Sequence, residues 1–342
     1  MRFSRKSYKH HGFAPARAIR HNGGMRAYYS GDFVSHLPAG HRFPSEKYRL
    51  LYQRLLAELP AIQIVEAPAA TDGQLALAHD PAYIQAVING ELTLAQEREI
   101  GFPWSSQLVE RSRRSVGATI AAARAAMGLG MTRQGVAANM AGGTHHASSS
   151  KGGGFCVFND VAVGARLMQA EYRRTHRSEL RVAVIDLDVH QGNGTAEIFE
   201  NDESVFTMSL HGEKNYPFRK VQGDLDVPLV DGTEDDAYLE ALESALDELA
   251  KRFEPQLIFY LAGADCFVGD RLGRLRLSFD GVQARDRRVF DWAWQRRIPL
   301  AFVMAGGYGH HLSDTVQVQI NTFTLALAYA QRWQNVSSSL TL

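Results

Sequence analysis

Cysteine is almost missing from this 342-residue chain, which has only Cys156 and Cys266. Two thiols build neither a disulfide framework nor a cysteine-based zinc finger, and they suit a reducing compartment. An excess of one charge is missing too. Lys+Arg and Asp+Glu each number 37, so the formal net charge is zero. That argues against a protein whose main work is a broad electrostatic grip on nucleic acid. No apolar run approaches the roughly 18 residues that a membrane span needs. The opening MRFSRKSYKHHGFAPARAIRH lacks the apolar segment of a secretory signal. The expectation is a cytoplasmic protein without a membrane span. Repeats, low-complexity tracts and Pro/Ser-rich linkers are also lacking, so a single domain is the economical reading.

What is present is ordinary for a folded protein, with 45% hydrophobic and 22% charged residues. The length suffices for a large core. Residues 1–26 hold seven Lys/Arg and no acid. The stretch 1–25 reads as a mobile basic extension ahead of a domain spanning 26–342. Helical spacing of apolar residues marks EKYRLLYQRLLAEL, with Ser45 before it as an N-cap, and also 106–129, 158–174, 233–252, 281–296 and 314–332. Between them lie short apolar or β-branched runs at 62–67, 135–141, 181–188, 204–210, 256–262 and 299–305. Several are nearly continuous in apolar residues, as strands covered on both faces are. Such alternation implies an α/β fold with a mainly parallel sheet and helices on both sides.

Most of these strands are followed at once by Gly, His, Asp or Tyr: GGTHHASSSKGGGFC, LDVHQGNGT, HGEKNYPF, GADCFVGD and GGYGHH. Ligands in open α/β sheets bind outside the carboxyl ends of the strands, so separate segments deliver polar groups to one edge. Asp186, Asp188 and His190 alternate with apolar residues, and on an extended chain they point to one side. They read either as a solvated strand end or as carboxylates gathered around a cation. Asp265 follows a strongly apolar run and reads either as a helix N-cap or as a third ligand. Two carboxylates and one imidazole would leave zinc one or two open positions, as catalytic sites do. The first shell would be neutral, which makes a nearby base valuable. His145 and His146 supply candidates for it, set among glycines that permit close approach of a ligand. Tyr308 reads as a boundary tyrosine or as a donor to a developing oxyanion.

GTHHASSSKGGGFCVFND, VIDLDVHQGNGT, LAGADCF and AGGYG, in this order and spacing, resemble the zinc-dependent histone deacetylase family. The similarity runs from about Tyr28 to about residue 333. GHRFPSEKY, DVHQGNG, GTEDDAYL and GDRLGRLRLS are most similar to the class IV branch and its bacterial relatives. The resemblance implies a single-domain, three-layer α/β/α arginase–deacetylase fold, with 26–342 as the catalytic domain. It implies Asp188, His190 and Asp265 as ligands of one catalytic Zn²⁺, His146 as general base and His145 as its electrostatic partner. Tyr308 would bind the substrate carbonyl oxygen. Asp186 would stand beside His145, its backbone region forming a structural site for a monovalent cation such as K⁺. Gly154, Phe155 and Tyr216 would line a tunnel for the acyl-lysine stem.

Two departures stand out. Asn193 occupies the place where some classes carry Asp beside the second histidine. The acidic rim residue of class I enzymes has no match around IGFPW at 100–104, so the substrate need not be a histone tail. The implied reaction is metal-assisted hydrolysis of the amide of an acyl-lysine in a peptide or protein. A rival keeps the chemistry and takes acetylated polyamines or other small acylated amines. Another is a non-catalytic protein that binds acyl-lysine or metal.

Overall fold

The computed structural model describes residues 24–30, 37, 40–131 and 133–339. The basic extension therefore lies outside the described residues, save for its last two. Along the chain run β1 (Arg26–Tyr29), α1 (Glu46–Glu58), β2 (Gln63–Glu66), α2 (Asp72–Leu75), α3 (Pro81–Asn89), α4 (Leu94–Ile100) and α5 (Ser106–Met127). Then follow β3 (Val136–Asn139), α6 (Asp160–His176), β4 (Val182–Asp186), α7 (Asn193–Phe199), β5 (Val205–Gly212), β6 (Leu225–Leu229) and α8 (Asp235–Arg252). Last come β7 (Leu257–Leu261), α9 (Phe279–Gln295), β8 (Leu300–Val303) and α10 (Leu312–Ser339). The strands form one eight-stranded sheet in the order β2-β1-β3-β8-β7-β4-β5-β6, and every pair is parallel.

The apolar runs explain the layers. In β4, Ala183 and Ile185 join one core while Val182 and Val184 join the other, and β8 divides Leu300 and Phe302 from Ala301 and Val303 in the same way. Side chains alternate across a strand, so a continuous run needs cover on both faces. Helices α1, α8, α9 and α10 pack on the first face, and α3, α5 and α6 on the second. This is the three-layer α/β/α architecture expected. Met25, just ahead of β1, is fully buried in the first core.

Register sets the level of the loops. Asn139 pairs with Val303, Val303 with Leu261, and Leu261 with Asp186. Four adjacent central strands thus end on one row, and their carboxyl-terminal loops open together.

Two details of the sequence reading are corrected. Ser45 precedes α1 but has helical backbone angles and makes no side-chain capping hydrogen bond. The strand carrying DLDVH stops at Asp186, so Asp188 and His190 do not face one way through strand alternation. They sit on a bend that curls back, and Asp188 Oδ1 accepts from the His190 backbone N–H at 2.9 Å. Short elements also escaped the pattern. Strand β1 has only four residues. Strand β6 is a half-buried edge strand containing Pro228, where proline is tolerated. Helices α2 and α4 are each nucleated by a Thr-x-x-Gln capping box, at Thr71 and Thr93.

Candidate active site

The loops after β4 and β7 bring Asp188, His190 and Asp265 together. Their candidate ligand atoms all lie within 4.8 Å of one another, and all three residues are buried. His190 Nδ1 stands 2.9 Å from Asp188 Oδ1 and 3.2 Å from Asp265 Oδ2. The other oxygens are spoken for: Asp188 Oδ2 accepts from Gly306 N at 2.6 Å, and Asp265 Oδ1 from Val189 N at 3.0 Å. Asp265 Oδ2 is buried with no hydrogen-bond donor. Burial and the neighbouring Asp188 push the Asp265 carboxyl up to about 7. Two carboxylates and an imidazole nitrogen converging in a buried space, one oxygen orphaned, fit a divalent cation. Close approach depends on glycine, since a Cβ at Gly306 would fall 1.8 Å from Asp265 Oδ2 and 2.6 Å from Asp188 Oδ2.

The loop after β3 carries the two histidines, whose ring centroids are 4.1 Å apart. Asp160, the first residue of α6, holds this loop by accepting from the backbone N–H groups of Gly143 and Thr144 at 3.1 and 2.8 Å. His145 Nδ1 lies 2.6 Å from Asp186 Oδ2, and His146 Nδ1 lies 2.7 Å from Asn193 Oδ1. Their electrostatics diverge accordingly. Burial opposes the charge on His145, but Asp186 and then Asp188 outweigh it and raise the imidazole to about 9. His146 is lowered well below its ordinary value by burial first, then by His145 and His190. An amide oxygen only accepts, so with Asn193 Oδ1 turned to it the Nδ1 of His146 carries the proton and Nε2 keeps its lone pair.

Tyr308, after β8, completes the group. Its ring centroid is 6.3 Å from that of His190. Burial, with Asp188 and Asp265 adding to it, keeps the phenol protonated far above its usual range. Its backbone N–H donates to Asp270 Oδ2 and its carbonyl accepts from Arg271 Nε at 2.8 Å. His145, His146, Asp188, His190 and Tyr308 line one cavity together with Gly154 and Phe155. Tyr216 stands beside it, edge-on to His146 with ring centroids 4.8 Å apart. Phe155, with φ 68°, and Ala305, with φ 49°, hold left-handed backbone without being glycine, a strain that clusters at functional sites.

The sequence reading missed Lys47. It is fully buried on α1. Its ammonium donates to the carbonyls of Ala305 and Gly307 at 3.4 and 3.2 Å and sits 5.2 Å from the Tyr308 ring centroid. It thereby holds the glycine-rich turn that presents Tyr308. The clue lay in the spacing: Lys47 falls on the same helical face as Leu51 and Leu55, which are buried.

Comparison with known proteins identifies the family. The family described as histone deacetylase domain matches residues 41–323. A protein of Picosynechococcus sp. described as uncharacterized is 40% identical over 295 residues, covering 86% of this chain and 95% of its own. Histone deacetylase 2 of Arabidopsis thaliana is 33% identical over 280 residues, covering 78% of this chain and 70% of that protein. An HDAC homolog from Aquifex aeolicus, known from a crystal structure, has a TM-score of 0.72 at 26% identity, over 89% of this chain and 84% of that one. With a family match over most of its length and that family's fold built around the buried triad, this chain belongs to the histone deacetylase family and carries its deacetylase domain.

Proposed function

We propose that this protein hydrolyses the amide of N-ε-acyl-lysine, with zinc held by Asp188, His190 and Asp265. The observation that carries the reading is the juxtaposition of a neutral histidine, a protonated phenol, Asp188 and His190 around one cavity, with Asp265 beside those last two. Bound there, zinc supplies Lewis acidity, which polarises an acyl carbonyl and lowers the pKa of water. The other tasks fall to the chain itself. Gly154, Phe155 and Tyr216 take the lysine stem between aromatic walls. A Cβ at Gly154 would come within 2.6 Å of His146 Cδ2 and 3.0 Å of Tyr216 Cε1, so the passage is narrow. His146 accepts a proton from the attacking water at Nε2, its Nδ1–H fixed on Asn193. The Tyr308 hydroxyl donates to the oxygen on which negative charge develops. His145, protonated and held by Asp186, stabilises that charge, and the proton taken from water is delivered to the departing lysine amine. The products are a carboxylate and a free amine.

On the resemblance alone we add a structural monovalent cation such as K⁺ at the backbone beside Asp186. On the same footing we assign the chain to the class IV branch and its bacterial relatives, and take 26–342 as one catalytic domain. A cytoplasmic location accords with two buried free thiols and with the lack, among the described residues, of a helix long and apolar enough to cross a membrane.

Hydrolysis of an acetyl-lysine peptide and of an acetylated polyamine, each with and without chelator, tests the reading. Chelator-sensitive release of acetate from the peptide is expected. Release from the polyamine alone would move the substrate to the small-amine class, and release from neither would leave a binding protein.

A further inference from the structure

Arg285 and Asp286 lie on the apolar face of α9, among Val282, Val289 and Phe290, and both are fully buried. A buried ion pair on a core-facing helix is no cheap source of stability, since apolar side chains of similar volume often do as well or better. The contacts of this guanidinium explain its place. Nη1 donates to the carbonyl of Leu187 at 3.1 Å and to that of Gly263 at 2.6 Å. Leu187 separates Asp186 from Asp188, and Gly263 lies two residues before Asp265. Nε and Nη2 both donate to Asp286 Oδ1, at 2.9 and 2.7 Å. Asp286 is fixed in turn by the hydroxyls of Tyr260 and Thr322. One nitrogen thus joins the turn after β4 to the turn after β7, while the opposite edge of the same planar group is clamped.

We propose that Arg285 is a positioning residue for the metal site, setting the separation of the Asp188 and Asp265 turns through the carbonyls of Leu187 and Gly263. The inference rests on the reading of Asp188, His190 and Asp265 as metal ligands. Both carbonyls lie past the strand ends; that of Leu187 also accepts from the weak donor Cys266 Sγ at 3.3 Å, and the guanidinium is the donor the two carbonyls share. A planar fork with several donors in fixed directions meets two carbonyls and a carboxylate at once, which an ammonium on a flexible stem does not. Groups that orient ligands from behind in this way typically govern affinity by about 10–100-fold. Asp286 acts one step further back, by fixing the fork.

The test measures metal affinity by chelator competition and the visible spectrum of the cobalt-substituted full chain. Wild type is measured first: failure to bind metal there sinks the ligand assignment itself, before Arg285 is at issue. Arg285→Lys keeps a cation against Asp286 but does not span both carbonyls. It is expected to weaken binding about 10–100-fold and to alter the cobalt spectrum. Tyr329→Phe removes a hydroxyl that donates to Asp291, on the same helix as Arg285 but outside the contacts of Arg285 and Asp286, so it should lower Tm and leave affinity and spectrum as in wild type. Wild-type affinity and spectrum in Arg285→Lys would overturn the proposal, and so would an equal loss of affinity in Tyr329→Phe. Should Arg285→Lys fail to fold, Asp286→Asn keeps the guanidinium and loosens its anchor. Weakened binding is required there, and wild-type binding overturns the proposal equally.

Discussion

Asn193 Oδ1 sits 2.7 Å from Nδ1 of His146, in the position that the carboxylate of Asp186 takes, at 2.6 Å, beside His145. Two identical side chains in adjacent positions are thereby driven apart, His145 up to about 9 and His146 well below its ordinary value. Divergent environments for like groups are how one site obtains both an acid and a base. Here burial, His145 and His190 keep His146 uncharged, and the neutral amide of Asn193 does not outweigh them as the Asp186 carboxylate outweighs burial beside His145.

Replacing that amide tests the arrangement. Asn193→Asp puts a negative charge on Nδ1 of His146 and favours its imidazolium. A base must be neutral to accept a proton, so the acidic limb of kcat/KM should move to higher pH. A pH–rate profile of both proteins on an acyl-lysine peptide decides the matter. An unchanged limb would remove His146 from the role of base.

Tyr308→Phe deletes one hydroxyl and leaves the ring among Phe43, Phe155 and Lys47. Loss of an oxyanion donor typically costs on the order of 10²–10³ in turnover. The fall should appear in kcat with Tm nearly unchanged. Near-normal turnover would show that another group donates.

Asp265→Ala removes the orphaned oxygen and one carboxylate of the triad. Wild type should carry about one equivalent of zinc per chain and the variant very little. Metal analysis after dialysis gives the answer, and full retention by the variant would contradict the ligand set.

Acid sensitivity of the fold should involve His79. It is buried, its Nε2 accepts from the Asn159 backbone N–H at 2.9 Å, and burial lowers it from 6.5 to about 4. The neutral form is the one the fold holds. Its contribution is therefore intact above pH 6.5 and is lost as pH falls from 6.5 to about 4, by about 3 kcal/mol in full. His79→Gln should flatten the decline of Tm over this range, and an equally steep decline would assign the effect to other groups.

Deleting residues 1–23 should leave hydrolysis of a short peptide nearly unchanged. Gly24 already bonds to the fold through its carbonyl, which accepts from Gln334 Nε2 at 3.3 Å, and Met25 is in the core, so the cut belongs before them. A large loss of activity would give the basic segment a part in the site.

Much of this protein is legible along the chain because its central strands are buried on both faces. VAVI, LIFYL and LAFV must then be apolar throughout, and polar residues can gather only where the strands end. That is why His145, Asp188, Asp265 and Tyr308 stand out in one dimension. Residues whose state depends on what lies across the sheet do not. Lys47 and Arg285 look like ordinary charges on amphipathic helices, yet each is fully buried against carbonyls of loops elsewhere in the chain, 258 and 260 residues away for Lys47 and 98 and 22 for Arg285. Asp188 and His190 meet through a bend, although their spacing mimics a strand. The divergence of His145 from His146 arises from burial and from partners 41 and 47 residues on. The chain sets which chemical groups reach the sheet's edge through local patterning. Their protonation and mutual distance depend on desolvation and on charges that only folding brings near, and those were decided by the tertiary structure.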